Sequence, residues 1–346
     1  MAFRFFKYTS VYITVVVIAA SLVAGGVLVF IAPVFVFGIV PLLELFFKGT
    51  TTNLTEAEEE LAKKDWKYDV VAWSILPIQL ALLFYFLDRV NEASLNGLEI
   101  MGMIFAFGIS CGILGINVAH ELGHRSTWYE QLMSKILLAT SLYMHFFIEH
   151  NRGHHKKVST DEDPASARYG ENIYAFYFRS VRDSWLSAWH IENERLKKSN
   201  RNFLSIHNEM LMYQLIQLTL LGAIAFFWNW KVMLCFVGAA TVGFLLLETV
   251  NYIEHYGLRR KKTDAGHYER VMPSHSWNSN HAVGRIMLFE LTRHSDHHYL
   301  ASRKYQVLRH QHDSPQMPTG YPGMMVLSLL PPLWFKVMHR SMEKSA

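Results

Sequence analysis

The chain has 346 residues, 51% of them hydrophobic, with a formal charge of +4, 18 histidines and two cysteines. Two thiols, Cys111 and Cys235, each inside an apolar run, argue against a disulfide framework and exclude any iron–sulfur or rubredoxin-type site, which needs four thiolates. The apolar residues fall in runs longer than a soluble domain needs, and no nucleic-acid partner is expected.

Residues 11–47 are almost uniformly apolar, with Gly25 and Gly26 between the two halves. At ~20 residues per crossing this predicts a hairpin of two transmembrane helices, at 11–25 and 27–47. No small-residue cleavage site follows the first run, so it is expected to stay as a span rather than leave as a signal peptide. Arg4 and Lys7 place the N-terminus inside. Residues 48–69 are polar, and Thr55-Glu56-Ala57-Glu58 is the capping pattern that precedes a short helix. Further spans are expected at 70–87 and 98–119, joined by a short outer turn from Asp88 to Asn96. The fourth crossing returns the chain to the inside where His120 begins.

The run 131–148 is short for a span and holds Ser134, Lys135 and His145. His124 and His150 flank it and are expected to share a metal site, so the chain does not cross between them. An interfacial helix lying in or dipping into the inner leaflet fits better. Residues 149–209 are polar and basic. Spans five and six are expected at 211–227 and 232–250, joined by Trp228-Asn229-Trp230-Lys231, whose tryptophans suit an aromatic belt. Met324 to Val337 is apolar but short and interrupted by Pro331-Pro332, as a helix packed on the core would be. The expected fold is an all-α integral membrane protein with a single domain over 1–346. It has six transmembrane helices and a cytoplasmic histidine-rich helical cap, 120–209 and 251–346.

Nine histidines gather at the inner ends of these spans: His120 and His124; His150, His154 and His155; His255; and His294, His297 and His298. Residues three and four apart are helix neighbours, so His120 with His124, and His294 with His297 and His298, face one way. Imidazole binds Fe, Cu, Zn and Ni. A structural zinc takes about four ligands, so nine are too many for one ion and suit two. His120-Glu121-Leu122-Gly123-His124 also fits the zinc-peptidase pattern, but a peptidase needs only one further ligand and has no use for the remaining histidines. No catalytic residue is expected beyond the metal centre. Any redox chemistry must draw its electrons from a separate carrier.

Carboxylates beside the clusters are candidates to accept the second ring N–H of a ligand and to offset the metal charge: Glu121, Glu149, Glu254, Asp296, Asp161 and Asp163. His275 and His281, spaced loosely, are expected to line or support the site. Glu248 lies within the sixth span, two turns before His255 on the same face, where an ionisable group is a functional candidate.

These motifs resemble the alkane 1-monooxygenase family, membrane-bound non-haem di-iron hydroxylases within the wider membrane desaturase and hydroxylase group. The resemblance rests on His-Glu-Leu-Gly-His at 120–124, Glu-His-Asn-Arg-Gly-His-His at 149–155 and Asp-Pro-Ala-Ser at 163–166. It extends to Asn-Tyr-Ile-Glu-His-Tyr-Gly at 251–257, Ser-His-Ser-Trp-Asn-Ser-Asn-His at 274–281, Arg-His-Ser-Asp-His-His at 293–298 and Pro-Thr-Gly-Tyr-Pro-Gly at 318–323. It implies that the nine histidines hold two iron ions. It also implies terminal hydroxylation of medium- to long-chain n-alkanes with O2, and two electrons from rubredoxin, itself reduced by an NAD(P)H-dependent reductase. The expected location is a bacterial inner membrane, multi-pass, with both termini cytoplasmic. Methyl-aromatic hydroxylation of the xylene or cymene type, or fatty-acyl hydroxylation or desaturation, is the alternative within the same chemistry. A non-catalytic metal carrier or sensor is the alternative outside it. Spans rich in glycine and aliphatic residues are expected to enclose an apolar channel that ends at the metals. The basic inner loops, including Lys156, Lys157, Arg168 and Arg195, are expected to help dock an acidic electron carrier.

Overall fold

The computed structural model describes residues 4–47 and 49–345; Lys48, at the edge of the expected polar loop, and residues 1–3 and 346 lie outside them. The described residues are helical, with no strand beyond two isolated bridges, Lys262 to Tyr268 and Asn278 to Gln316. Six helices are long and apolar enough to cross a membrane: Arg4–Val23, Gly26–Phe46, Trp66–Val90, Gly97–Gly123, Glu209–Phe227 and Trp230–His255. This is the six-span all-helical architecture the hydropathy implied. The first span begins earlier than residue 11, because a 3-10 segment, Arg4–Ser10, runs straight into it. Lys7 and Tyr8 on that segment both donate to Glu290, at 2.7 and 2.8 Å, which ties the start of the chain to the side that carries the histidines.

The span ends are set by local chemistry. Asn96 accepts from the backbone N–H groups of Leu98 and Glu99 while Glu99 accepts from Asn96, a complete capping box for the fourth span. The other oxygen of Glu99 takes the N–H of Gly26 at the first turn of the second span, 2.7 Å away. Thr55 and Glu58 form the box expected for the short helix Glu56–Lys64. On the face remote from the histidines, Trp228 donates to Asp88 at 2.7 Å and Asn229 to Asn91 at 2.7 Å.

The fourth and sixth spans touch through small residues. A Cβ on Gly243 would stand 2.4 Å from the Cys111 Cβ, and one on Gly108 would stand 2.5 Å from Val242. Lipid supplies no hydrophobic drive between helices, so close backbone approach of this kind holds them together. It also brings the two helix ends bearing His120 and His255 to the same place.

The segment 131–148 is not one interfacial helix. It is two helical pieces, Trp128–Ala139 and a run starting at Phe146–Glu149, with a tight reversal between them. Leu142 sits at φ 51°, and the N–H of Tyr143 turns back to the Leu138 carbonyl at 3.1 Å, so the helix cannot continue. The reversal lies against the middle of spans three and four. There Gln79 donates to Thr140 at 3.1 Å and accepts from Ser110 at 2.6 Å, and Ser141 donates to the Cys111 carbonyl at 3.2 Å. Irregular backbone at this depth is tolerated only where protein groups satisfy it. The chain therefore dips in and returns, and His124 and His150 end on the same side.

Candidate metal centre

Local helix geometry decides where each histidine points. His120 and His124 are four apart on the last turns of the fourth span, just after a π segment, Cys111–Ile116, that resets the face of the helix. His150–His154 is also π-helical. Its i→i+5 bonding brings residues five apart into line, so His150 and His155 point together while His154 points away. In the short helix His294–Tyr299, His294 and His298 share a face and His297 turns from it. The expectation that all three face one way is corrected by that turn. The result is two groups: His120, His124, His150, His155 and His297 in one, His154, His255, His294 and His298 in the other. The groups adjoin, with the His155 and His298 rings 4.6 Å apart.

All nine meet through Nε2. Contacts run from 2.8 Å, His298 to His294, to 3.2 Å, His155 to His124. Two nitrogens each ~2.1 Å from one ion, at right angles, stand about 3 Å apart. The spacing is therefore that of ligands sharing an ion. Without a cation, several bare lone pairs would face one another at that distance. Burial, then the charge of neighbouring imidazoles, holds His150, His155, His294, His297 and His298 well below the ordinary imidazole value, and His124 at about 4. Neutral imidazole is the form that binds a metal.

His154 differs. Burial alone would lower it, but Asp163 outweighs burial and raises it; the Nδ1 lies 2.9 Å from one carboxylate oxygen and 3.1 Å from the other. Ser166 donates to the same carboxylate at 2.5 Å and the Ala165 N–H at 3.2 Å. This is the carboxylate–histidine arrangement that fixes a tautomer and leaves Nε2 bare. Asp-Pro-Ala-Ser carries it, and Ser166 is the member that sequence reasoning did not single out.

The remaining candidates lie elsewhere. Glu121 pairs with Arg125 at 2.6 Å and the Tyr305 N–H at 3.2 Å, in a network with Asp69 and Lys304 that clamps the cap to the third and fourth spans. Asp296 holds Arg303, Gln311 and the Arg309 N–H. Glu149 is buried against Ser187 and Gly153, and burial raises it to about 8. Asp161 is at the surface beside Arg259. His275 accepts from the Met272 N–H and faces Glu269; His281 pairs with Ser279. None of these six side chains reaches a ring nitrogen of the nine. Sequence adjacency to a histidine fails here because neighbours on a helix point in different directions. Glu248 is buried; it accepts from Tyr143 at 2.8 Å and Ser180 at 2.5 Å, joining the re-entrant hairpin, the helix Ile173–Lys198 and the sixth span.

Beneath the two groups lies an apolar cavity. Val36, Phe37, Ile113, Ile116, Leu246 and Leu247 form its walls, and His120, His150, His294 and Glu254 form its metal end. The second, fourth and sixth spans all contribute to it. Gly320 leaves room for Glu44, which would meet a Cβ there at 1.9 Å; this accounts for the first glycine in Pro-Thr-Gly-Tyr-Pro-Gly. The donor set, nine imidazoles and no thiolate, fits iron, copper, zinc or nickel.

The fatty acid desaturase family matches residues 98–328. Alkane 1-monooxygenase 2 of Pseudomonas aeruginosa is 41% identical over 306 residues, 88% of this chain and 81% of that protein. Alkane 1-monooxygenase 2 of Alcanivorax borkumensis is 39% identical over 89% of this chain and 81% of its own length. The xylene/toluene monooxygenase hydroxylase component of Pseudomonas putida is 26% identical over 77% of this chain and 72% of its own.

Asp163→Asn removes the negative charge, and one of the two acceptor oxygens, that orient His154. Metal affinity at the four-histidine group is expected to fall about 10- to 100-fold, read by retention during chelator titration; unchanged retention contradicts the role. A second expectation concerns pH. The folded chain keeps His124 at about 4 against an ordinary 6.5, so the unfolded chain binds more protons between those values. Stability of the metal-free chain is present above the upper value and falls as the pH drops through the window. Thermal unfolding after chelation tests this, and a flat profile across the window contradicts it.

Proposed function

The chain belongs to the alkane 1-monooxygenase family, within the fatty acid desaturase group, and from that premise we propose that it hydroxylates the terminal carbon of medium- to long-chain n-alkanes at a di-iron centre held by the nine histidines. The observation that carries this reading is the apolar cavity that stops at His120, His150 and His294. An alkane offers no polar handle, so shape and exclusion of water are all that can orient it. The aliphatic walls supply both, and the three histidines mark where the terminal methyl would stop. The C–H bond of a methyl is inert to acid or base, so no side chain here could break it unaided. Bound iron would supply the oxidising chemistry of O2; one oxygen atom would enter the C–H bond and the other would leave as water, with two electrons and two protons consumed.

The identity pattern supports an alkane over a methyl-aromatic substrate, since the two alkane relatives are 41% and 39% identical and the xylene/toluene relative 26%. Reduced rubredoxin is the proposed electron donor. The rim of the five-histidine group supports a docking place, because His124 and His155 are only partly covered there, with Lys156 exposed beside His155. Arg168 is exposed as well. Arg195 is engaged by Glu192 and the His207 carbonyl, and is the weakest of the four expected contacts. The proposed setting is a bacterial inner membrane, with the cap and both termini in the cytoplasm. Arg4 and Lys7, on the cap side, support that orientation.

Octane, hexadecane, xylene and a fatty acid, each supplied with rubredoxin, its reductase and NAD(P)H, test the reading by product analysis. The expected products are 1-octanol and 1-hexadecanol. His294→Ala and His298→Ala are expected to bring formation to background. Turnover with rubredoxin is expected to slow as salt rises. Methylbenzyl alcohol or a hydroxylated or desaturated acid as the sole product transfers the chain to the alternative substrates. Bound metal with no product from any of them makes it a carrier or sensor.

A further inference from the structure

Glu254 is a buried acid that meets a cluster histidine at the nitrogen shared with the other histidines. It is 1% exposed. Its Oε2 stands 3.1 Å from the Nε2 of His294, the nitrogen that faces the metal site. Asp163, by contrast, meets a histidine at Nδ1, on the outer side. The 3.1 Å separation equals the spacing of the histidine nitrogens among themselves, such as His150 to His124 at 3.1 Å.

Most of the neighbouring buried acids have partners within the protein; Glu149 has only Ser187, at 3.4 Å, but its carboxylate reaches no ring nitrogen of the nine. Glu121 has Arg125, Asp296 has Arg303, and Glu290 has Lys7 and Arg285. Glu248 has three hydrogen-bond donors, Tyr143, Ser180 and Asn251. Among the described residues Glu254 has no arginine or lysine within ion-pair distance, and its Oε1 has no hydrogen-bond partner. The Tyr321 hydroxyl, buried too, lies beside it as a neutral donor at the margin of hydrogen-bond reach and brings no positive charge. A buried carboxylate is costly unless a cation or several donors face it. A cation held by the four-histidine group would face this one.

We propose that Glu254 is a tenth, carboxylate ligand, completing the four-histidine group on its cavity side. The inference rests on the di-iron reading and deepens it. Each group then has five donors: five nitrogens in one, four nitrogens and an oxygen in the other. The carboxylate brings negative charge to a centre otherwise built from neutral imidazoles. Glu254 is not within 4.8 Å of all four nitrogens, and it lines the cavity with His120, His150 and His294. It therefore lies to one side of the four nitrogens, at the end of the cavity where a substrate carbon would stop. The chain carries it there because Glu254 and His255 are consecutive on the last turn of the sixth span, whose register is locked by the Trp277 N–H on the Glu254 carbonyl at 2.8 Å.

Mössbauer spectra of the full-length protein loaded with iron-57, before any substrate or O2 is added, test the assignment. Glu254→Gln keeps the size and removes the charge. Wild type is expected to show two ferrous doublets. The variant is expected to keep the same iron content, because the nine histidines remain, with one doublet shifted and the other unmoved. Two unmoved doublets at equal iron content overturn the proposal. If Glu254→Gln does not fold, Glu254→Asp serves, since its shorter arm withdraws the oxygen; the same single doublet is expected to shift, and no shift overturns the proposal. Wild-type protein that takes up no iron overturns the di-iron reading beneath it, a result distinct from unmoved doublets.

Discussion

Nine imidazole nitrogens aimed at two points are a repulsive arrangement unless a cation stands at each. That constraint organises the rest of the molecule. Facing Nε2 atoms about 3 Å apart, most of them on rings held neutral by burial, have the spacing of ligands that share a cation. The polypeptide must bring them from four separate stretches and hold them while the metal is absent. It does so with rigid devices: glycine contacts between the fourth and sixth spans, π segments that set ring direction, and a hairpin that returns His150 beside His124.

The bilayer imposes the second condition, that no polar group at depth is left unsatisfied. Gln79, Ser110, Thr140 and Ser141 meet it at the hairpin tip, and Glu248 meets it between the hairpin and the sixth span. These polar contacts lie on one side of the fourth span and the apolar cavity on another. One helix thereby supports the metal groups and forms part of the cavity wall. The division explains how a centre rich in polar side chains can border a space fit for a hydrocarbon.

Much of this was legible in the residues. Hydropathy located six spans, and i, i+4 spacing paired His120 with His124 and His294 with His298. Topological parity required the chain to return between His124 and His150, and it does. The partition into five and four was not legible, because it depends on a π segment at 150–154 that no periodicity announces. The reversal at 140–145 was hidden for a related reason: Leu142 is an ordinary apolar residue, and nothing in its side chain announces a positive φ. Carboxylate roles were the least readable. Asp163, nine residues after His154, folds back to reach it, while Glu121 and Asp296, beside their histidines in sequence, serve arginines instead.

Iron K-edge X-ray absorption on the purified, reconstituted protein tests the central claim most directly, since it reads the atoms around the metal. The account predicts two irons per chain, a first shell of nitrogen and oxygen only, and the outer-shell scattering of several imidazole rings. Sulfur in the first shell, or bound iron without imidazole scattering, would contradict it.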